Sequence, residues 1–583
     1  MTGYRTLLPY FYRYRGRLAV GLGSLLLVDL LQLLIPRVIK TAVDDLTYQT
    51  ADAGSLALAG GTIVAIALVI GVFRFVWRML ILGFSRVVEE DLRNRLFAKL
   101  LTLPTPWFMT HSTGDIMARA TNDMEAVRMA AGMGLVALVD SLLMGAASIG
   151  FMIWIDFRLT LLALIPMPLI TILTRYMGVL MHRRHRDVQE TFGRMTEKVR
   201  EYLSGIRVVQ AHVKEELALR DLDDIGRKYV RDNIRLNKVA GAFIPLMLMF
   251  ANLSLAGVIY FGGRMTVFAE ISPGDLVAFI SYLGLLTWPM MALGWVANLV
   301  QRGSAALDRL NMVLDEIPAI ADPPRPATPV EARGEVEIRG LTFSYPGRKE
   351  EILGRIDLIF PAGQTTALVG RTGSGKTTIL NLLMRLFDPP PGSVLLDGIP
   401  IEEYRLRDLR AVIGYAPQDG YIFSGTVAEN ISFGLPEASG EAIMAAARLA
   451  DFEKDIVNFP KGLETEIGER GITLSGGQKQ RLALARALMS DPALLLLDDT
   501  FSAVDTATEE KILANLAANR RGKTTIVAAN RLSSLRDAAL IHVIDGGRIV
   551  QSGRREDLER EEGYYSKTLR LQQVQAERNE GQG

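Results

Sequence analysis

Gly370-Arg371-Thr372-Gly373-Ser374-Gly375-Lys376-Thr377 decides how the rest of the chain is read. It fits G-x-x-x-x-G-K-[ST], a loop that closes around phosphates between a strand and a helix. The apolar run 366–369 before it predicts a buried strand, and 378–386 after it predicts a helix. Glycines at 370, 373 and 375 let backbone N–H groups turn inward on phosphate oxygens, and the helix N-terminus adds positive potential. Lys376 reaches the terminal phosphates and Thr377 offers a hydroxyl to Mg²⁺, while Arg371, Thr372, Ser374 and Thr378 complete the ATP-binding stretch.

Working outward, 493–497 predicts a second buried strand, ending in Asp498 and Asp499. A carboxylate at a strand end facing the loop can hold Mg²⁺ through water, the role assigned to Asp498. Asp499 stands where a general base would orient the attacking water. Gln418, after the apolar 413–417, is placed to sense metal and γ-phosphate, so Thr377, Gln418 and Asp498 form the expected metal set. Tyr345 ends a strand upstream, where an aromatic ring could stack on adenine or simply be core. Leu474-Ser475-Gly476-Gly477-Gln478 is a second small-residue helix start suited to grasping a phosphate. One domain does not need two such turns, so the second is expected to serve an ATP held by another subunit.

At 583 residues, the chain is long enough for two or more folded units. Hydrophobic residues make up 49% and mean hydropathy is +0.20, which points to membrane spans. A net charge of +1 gives no general attraction to nucleic acid. The absence of Cys excludes disulfides, thiolate metal sites and a cysteine nucleophile.

Upstream of the loop, six stretches are long enough to cross a bilayer, near 17–40, 55–82, 132–155, 158–181, 240–262 and 273–300. The connections after the second and fourth are long and rich in Arg and Lys, whereas the others hold only Arg264, so both termini and both long connections are expected in the cytoplasm. Amphipathic spacing over 87–103 and 188–209 predicts helices that continue beyond the bilayer. Pro36, Pro166, Pro168, Pro245 and Pro289 are expected to mark kinks. Asp29 is either a cavity group or one member of a pair with an Arg from another helix, and Arg74 and Asp140 favour pairing. The first 16 residues, with Tyr10, Phe11, Tyr12 and Tyr14 among arginines, suit a headgroup-layer helix and not a signal peptide. The expected organisation is a membrane domain over 1–316, a Pro-rich linker over 317–333, an α/β nucleotide-binding domain over 334–571 and a polar tail over 572–583.

Over essentially its whole length the chain resembles the ATP-binding cassette (ABC) family, specifically the type I exporter half-transporters. The residues that carry this are Tyr345, the phosphate loop, Tyr415-Ala-Pro-Gln-Asp419, 465–471, the LSGGQ stretch from Leu474, Asp498 and Ser502-Ala-Val-Asp505. Gly114-Asp-Ile-Met-Ala-Arg-Ala-Thr-Asn-Asp123 and Gly205-Ile-Arg-Val-Val-Gln210 look like the family's cytoplasmic loops. The resemblance implies two halves with swapped helices, and coupling helices near 113–118 and 212–217. It implies an ATPase/translocase in a prokaryotic cytoplasmic membrane, with hydrophobic small molecules, lipids or peptides as substrates.

Two positions depart from the family pattern. A glutamate should follow the magnesium aspartate, and here it is Asp499; a histidine should precede Arg-Leu-Ser, and here it is Asn530. Both changes weaken hydrolysis at the site built on this chain's own phosphate loop, whereas Leu474, Ser475, Gly476, Gly477, Gln478 and Asp505 are intact for a site in trans. That asymmetry resembles the degenerate half of a heterodimeric exporter whose second half-transporter keeps glutamate and histidine. The alternatives are a homodimer with a weak Asp base and an importer on an exporter fold. A soluble ATPase and an ATP-gated channel are rivals of other classes, the first opposed by six apolar stretches.

Overall fold

The computed structural model describes residues 3–327, 332–348, 350–468, 474–530, 532, 535 and 538–571. They form two compact units, one of residues up to Leu101 with Thr113–Glu316, the other of Thr102–Ser112 with Ile317 onward. Glu469–Gly471 of the 465–471 stretch, Arg531 and Ser533 beside Asn530, part of the linker and the tail 572–583 lie outside the described residues.

The first unit is wholly helical: α1 (Arg15–Thr47), α2 (Ala53–Thr102), α3 (Thr113–Ile155), α4 (Phe157–Leu164), α5 (Met167–Ser204), α6 (Glu215–Val267) and α7 (Pro273–Leu314). Side chains that accept from exposed N–H groups mark several starts. Asp52 accepts from Ser55 N at 2.6 Å before α2, Asp156 from Leu159 N at 2.7 Å before α4, and Ser272 from Asp275 N at 3.0 Å before α7. Near the start of α7, Asp44 accepts from Gly274 N at 2.8 Å and Ser272 Oγ at 2.9 Å, and Lys40 pairs with Asp275. Farther along, the buried Tyr282 hydroxyl donates to Leu33 O at 2.9 Å, so α1 and α7 are tied at two levels.

Five of the described helices, α1, α2, α3, α6 and α7, are long and apolar enough to cross a membrane. The span expected over 158–181 is not one helix. A turn at Ile165 and Pro166 separates α4 from α5, and α5 soon acquires Arg175, Arg183 and Arg184. The proline expectation is corrected likewise. Pro36, Pro245 and Pro289 lie inside unbroken helices, Pro168 occupies the first turn of α5 where no N–H is missed, and the break falls at Pro166. Three turns widen to π geometry, Arg78–Leu82 in α2 and Arg119–Asp123 and Ala130–Gly134 in α3. Asp29 is 3% exposed and stands against Asp140, with Arg74 acting on it, so the expected Asp–Arg pair is a group of three drawn from α1, α2 and α3.

The second unit holds two main sheets. The smaller is antiparallel, in the order β2 (Leu353–Phe360), β1 (Val336–Phe343), β4 (Val394–Leu396), β5 (Ile399–Pro400). The larger runs β12 (Arg548–Gly553), β11 (Leu540–Asp545), β3 (Thr365–Val369), β10 (Thr524–Ala529), β9 (Leu494–Asp498), β6 (Ile413–Ala416). All its strands except β12 are parallel. Covered on both faces, they read as unbroken apolar runs such as Leu494-Leu-Leu-Leu497. Parallel order sends every strand's carboxyl end to one edge, where ligands of open α/β sheets bind. Val369, Asp498, Ala529 and Ala416 therefore end side by side, and the segments after them build the site.

Candidate nucleotide-binding site

Immediately after β3 the chain turns at Gly370 and enters α8 (Lys376–Leu383). Neither end of the turn has room for a side chain. A Cβ on Gly370 would lie 2.1 Å from Ile544 O, and Gly375 has φ +109° with Leu353 Cδ2 2.5 Å from a Cβ position. The loop is therefore a backbone cradle, and the buried Ser374 Oγ beside it lacks a hydrogen-bond partner. Such a cradle fits a phosphate oxygen.

Lys376, 7% exposed, folds back over the loop. Its Nζ donates to Gly370 O at 2.8 Å, Arg371 O at 3.0 Å and Asn530 Oδ1 at 3.0 Å. Burial holds the ammonium below its usual pKa, while Asp499 and Asp498 pull it back up. Thr377 Oγ1 donates to Asp498 Oδ1 at 3.0 Å, bringing two oxygens together across the loop and β9. Asp498 is pushed above the usual carboxylate range chiefly by burial, and the Thr377 bond opposes this. No cluster of three or more His, Cys, Asp or Glu suited to a metal occurs among the described residues. A hydroxyl and a carboxylate that need phosphate oxygens to complete the shell fit Mg²⁺, which is seldom held by protein alone.

Asp499 follows at φ +45°, a left-handed conformation that Asp tolerates better than most residues, with its N–H on Ala528 O at 2.7 Å. Its Oδ2 accepts from Asn530 Nδ2 at 3.0 Å and from Gln418 Nε2 at 3.4 Å. Lys376, Thr377, Gln418, Asp498, Asp499 and Asn530 thus share one network. Tyr345 stands at its margin, donating to or accepting from Thr378 Oγ1 at 3.0 Å and packed edge-on against Phe343 and Phe387. Arg371 lies with its guanidinium over the Tyr564 ring.

Leu474, Ser475, Gly476, Gly477, Gln478 and Asp505 form a different cluster. Ser475 caps α9 (Gly476–Leu488), and Gln478 answers with its own side chain on Ser475 N at 2.9 Å. Asp505 caps α10 (Thr506–Asn519) by accepting from Thr508 N at 2.9 Å. Gly477 sits so close to Ala503 O that a Cβ would come within 2.9 Å.

Two further residues join these parts. Gln480, 6% exposed, accepts from Ala503 N at 2.9 Å and donates to Ser502 Oγ at 2.8 Å and Gln418 O at 3.3 Å. The Tyr415 hydroxyl donates to Asp498 Oδ2 at 3.4 Å, and burial together with Asp498 raises its pKa. Tyr415 was visible as the aromatic three residues before Gln418; nothing local distinguishes Gln480 from a solvated helix residue.

Residues 18–290 match the ABC transporter transmembrane region, and 353–502 match the ABC transporter ATP-binding family. The chain is 38% identical to the multidrug resistance-like ATP-binding protein MdlA of Escherichia coli, covering 98% of this chain and 96% of the relative. It is 36% identical to the probable multidrug resistance ABC transporter ATP-binding/permease protein YheI of Bacillus subtilis, over 97% of each. Against an ATP-dependent lipid A-core flippase of Pseudomonas aeruginosa the identity is 33%, over 97% and 95%. The solved structure of a bacterial Atm1-family ABC exporter with ATP bound superposes with TM-score 0.79 at 28% identity, covering 96% of this chain and 98% of that one. With a helical membrane region, an α/β ATP-binding domain and full-length relatives of one kind, the chain belongs to the ABC transporter family, as an exporter with both regions in a single polypeptide.

Proposed function

We propose that the chain is one half of an ATP-driven exporter that moves a hydrophobic or amphipathic substrate out of a prokaryotic cytoplasm, and that its own ATP site binds nucleotide but hydrolyses it poorly. The observation that carries this reading is the hydrogen bond between Asn530 and Asp499, the two positions that depart from the family pattern. Asp is one methylene shorter than Glu, so its carboxylate sits back by about 1.5 Å, a displacement that can cost about 100-fold in rate. Asn530 holds that carboxylate from one side while Lys376 holds Asn530 from the other, and the amide cannot carry a proton as imidazole can.

Mg²⁺, when bound, would neutralise charge on the phosphates, and Thr377 and Asp498 are the residues placed to hold it. Lys376 and the loop N–H groups bind and orient the nucleotide. In trans, Ser475, Gly476, Gly477 and Gln478 would complete an ATP site on a second half-transporter that retains glutamate and histidine. Relatives named for multidrug resistance and lipid A-core transport support a lipid or drug-like substrate. The apolar spans support a multi-pass inner-membrane location with the termini and ATP-binding domain cytoplasmic.

ATP turnover of the purified chain in lipid nanodiscs, alone and with the half-transporter that co-purifies from its native membrane, tests the proposal. Near-inactivity alone and recovery with the partner are expected. Brisk turnover as a homodimer would make Asp499 a competent base and replace the asymmetric mechanism.

A further inference from the structure

The nucleotide site occupies the carboxyl ends of β3 and β10, and the opposite ends of the same strands border a cavity of about 280 Å³. Its lining includes Thr365 at the start of β3, Thr525 near the start of β10, and the second half of α10 with Arg520 just beyond it. Leu513, Leu516, Val527 and Ala538 make one wall apolar. Arg520, Arg521 and Lys523 line the other, and Lys523 is ion-paired with Asp491 at 2.5 Å.

Arg520 is 6% exposed and rigidly held. Its Nε donates to Thr525 Oγ1 at 3.2 Å, and its Nη2 donates to Pro492 O at 3.0 Å and Thr524 O at 3.1 Å. Its Nη1 is buried and has no hydrogen-bond partner. A buried donor left unsatisfied on a charged group is costly, and the apolar wall offers no acceptor. Burial lowers the guanidinium to about 10 against the pull of Asp491, so it stays charged at neutral pH. A planar cationic fork with one arm unused suits an oxyanion.

We infer that this cavity binds a small anion, a carboxylate or phosphate group accepting from Arg520 Nη1 with any short hydrocarbon body against Leu513 and Leu516. At 280 Å³ the space admits a ligand of a few carbon atoms and not a nucleotide. Occupancy would bear on the ATP site through two short routes, from Thr365 along β3 to Gly370 and from Thr525 along β10 to Asn530. The inference does not depend on which subunit partners the chain.

The full chain in nanodiscs, with its phosphate loop filled by Mg²⁺ and a non-hydrolysable ATP analogue, is titrated calorimetrically with sodium hexanoate and with inorganic phosphate at constant ionic strength. One saturable site for at least one anion is expected, and the two arms separate an amphipathic carboxylate from a bare oxyanion. Arg520→Gln should weaken it at least about tenfold, the scale of one hydrogen bond to a charged group. Because Arg520 also braces the sheet, Ala517→Trp at the exposed rim provides a second variant that blocks the cavity without touching the guanidinium, and it should abolish binding with an unchanged melting temperature. No saturable heat with either anion, or binding that survives Ala517→Trp, overturns the inference.

Discussion

Asn530 donates its side-chain amide to Oδ2 of Asp499 at 3.0 Å while its own Oδ1 accepts from Lys376 Nζ at 3.0 Å. A single neutral side chain thus links the general-base position to the phosphate-binding lysine. Replacing both partners with Asp499→Glu and Asn530→His should raise single-turnover hydrolysis at this chain's own site by about 100-fold. Each single change should give less than its share, since both act within one hydrogen-bond network. Rapid-quench measurement of one ATP turnover, with the partner's site disabled, reads this directly. An unchanged rate in the double variant would remove the geometric explanation.

Gln480 holds three segments at once, so Gln480→Ala should loosen all three. Its loss leaves the Ala503 N–H without its acceptor, a cost of about 1–3 kcal/mol. Amide exchange over 500–505 should accelerate, and turnover in the two-subunit assembly should fall with little change in nucleotide affinity at this chain's phosphate loop. Equal exchange in variant and parent would show that Gln480 is dispensable.

At Gly370 a methyl group meets a backbone oxygen at 2.1 Å, a neighbour that cannot rotate away. Gly370→Ala should destabilise the ATP-binding domain by about 1–3 kcal/mol and weaken nucleotide binding with it. Ser374→Ala, which removes a hydroxyl without a partner, should leave domain stability nearly unchanged. Binding of a fluorescent ATP analogue alongside thermal melts distinguishes the two effects.

Acid should weaken the ATP-binding domain partly through His542. This imidazole is 5% exposed, contacts Ser552 Oγ at 2.8 Å and Ile359 O at 3.3 Å, and is held below its usual pKa by burial. The unfolded chain binds the proton more readily than the folded one. The contribution is therefore complete above the free value of about 6.5 and is lost as pH falls through the lower folded-state value. The drop in melting temperature between neutral and mildly acidic buffer should be smaller in His542→Gln than in the parent. Parallel slopes would assign the acid sensitivity elsewhere.

Short-range physics made much of this legible. The phosphate loop needs its glycines in sequence, and Asp498 and Asp499 announce themselves by ending an uninterrupted leucine strand. The contact between Asp499 and Asn530 was not legible, because it depends on β10 pairing with β9 in the register that sets Ala528 against Asp498. Gln480 was hidden for the same reason: its partners lie on loops 22 and 62 residues away. In the membrane region, hydropathy located the apolar lengths but missed the turn at Ile165 and Pro166. An average over about 20 residues carries no information on where a hydrogen-bond ladder is cut.

The widened turn at Arg78–Leu82 has a consequence for how α2 tolerates change. A π turn takes up one residue more than an α turn, so everything after Gly83 is rotated by about 100° from the phase that the first half of the helix would impose. Phe84, Val88, Leu92 and Leu96 are buried in that shifted phase. Removing any one residue from 78–82 would preserve composition, length class and hydropathy, yet turn this stripe away from the helices it packs against. Within this short window a deletion is more damaging than most substitutions, because residue number itself sets the angle.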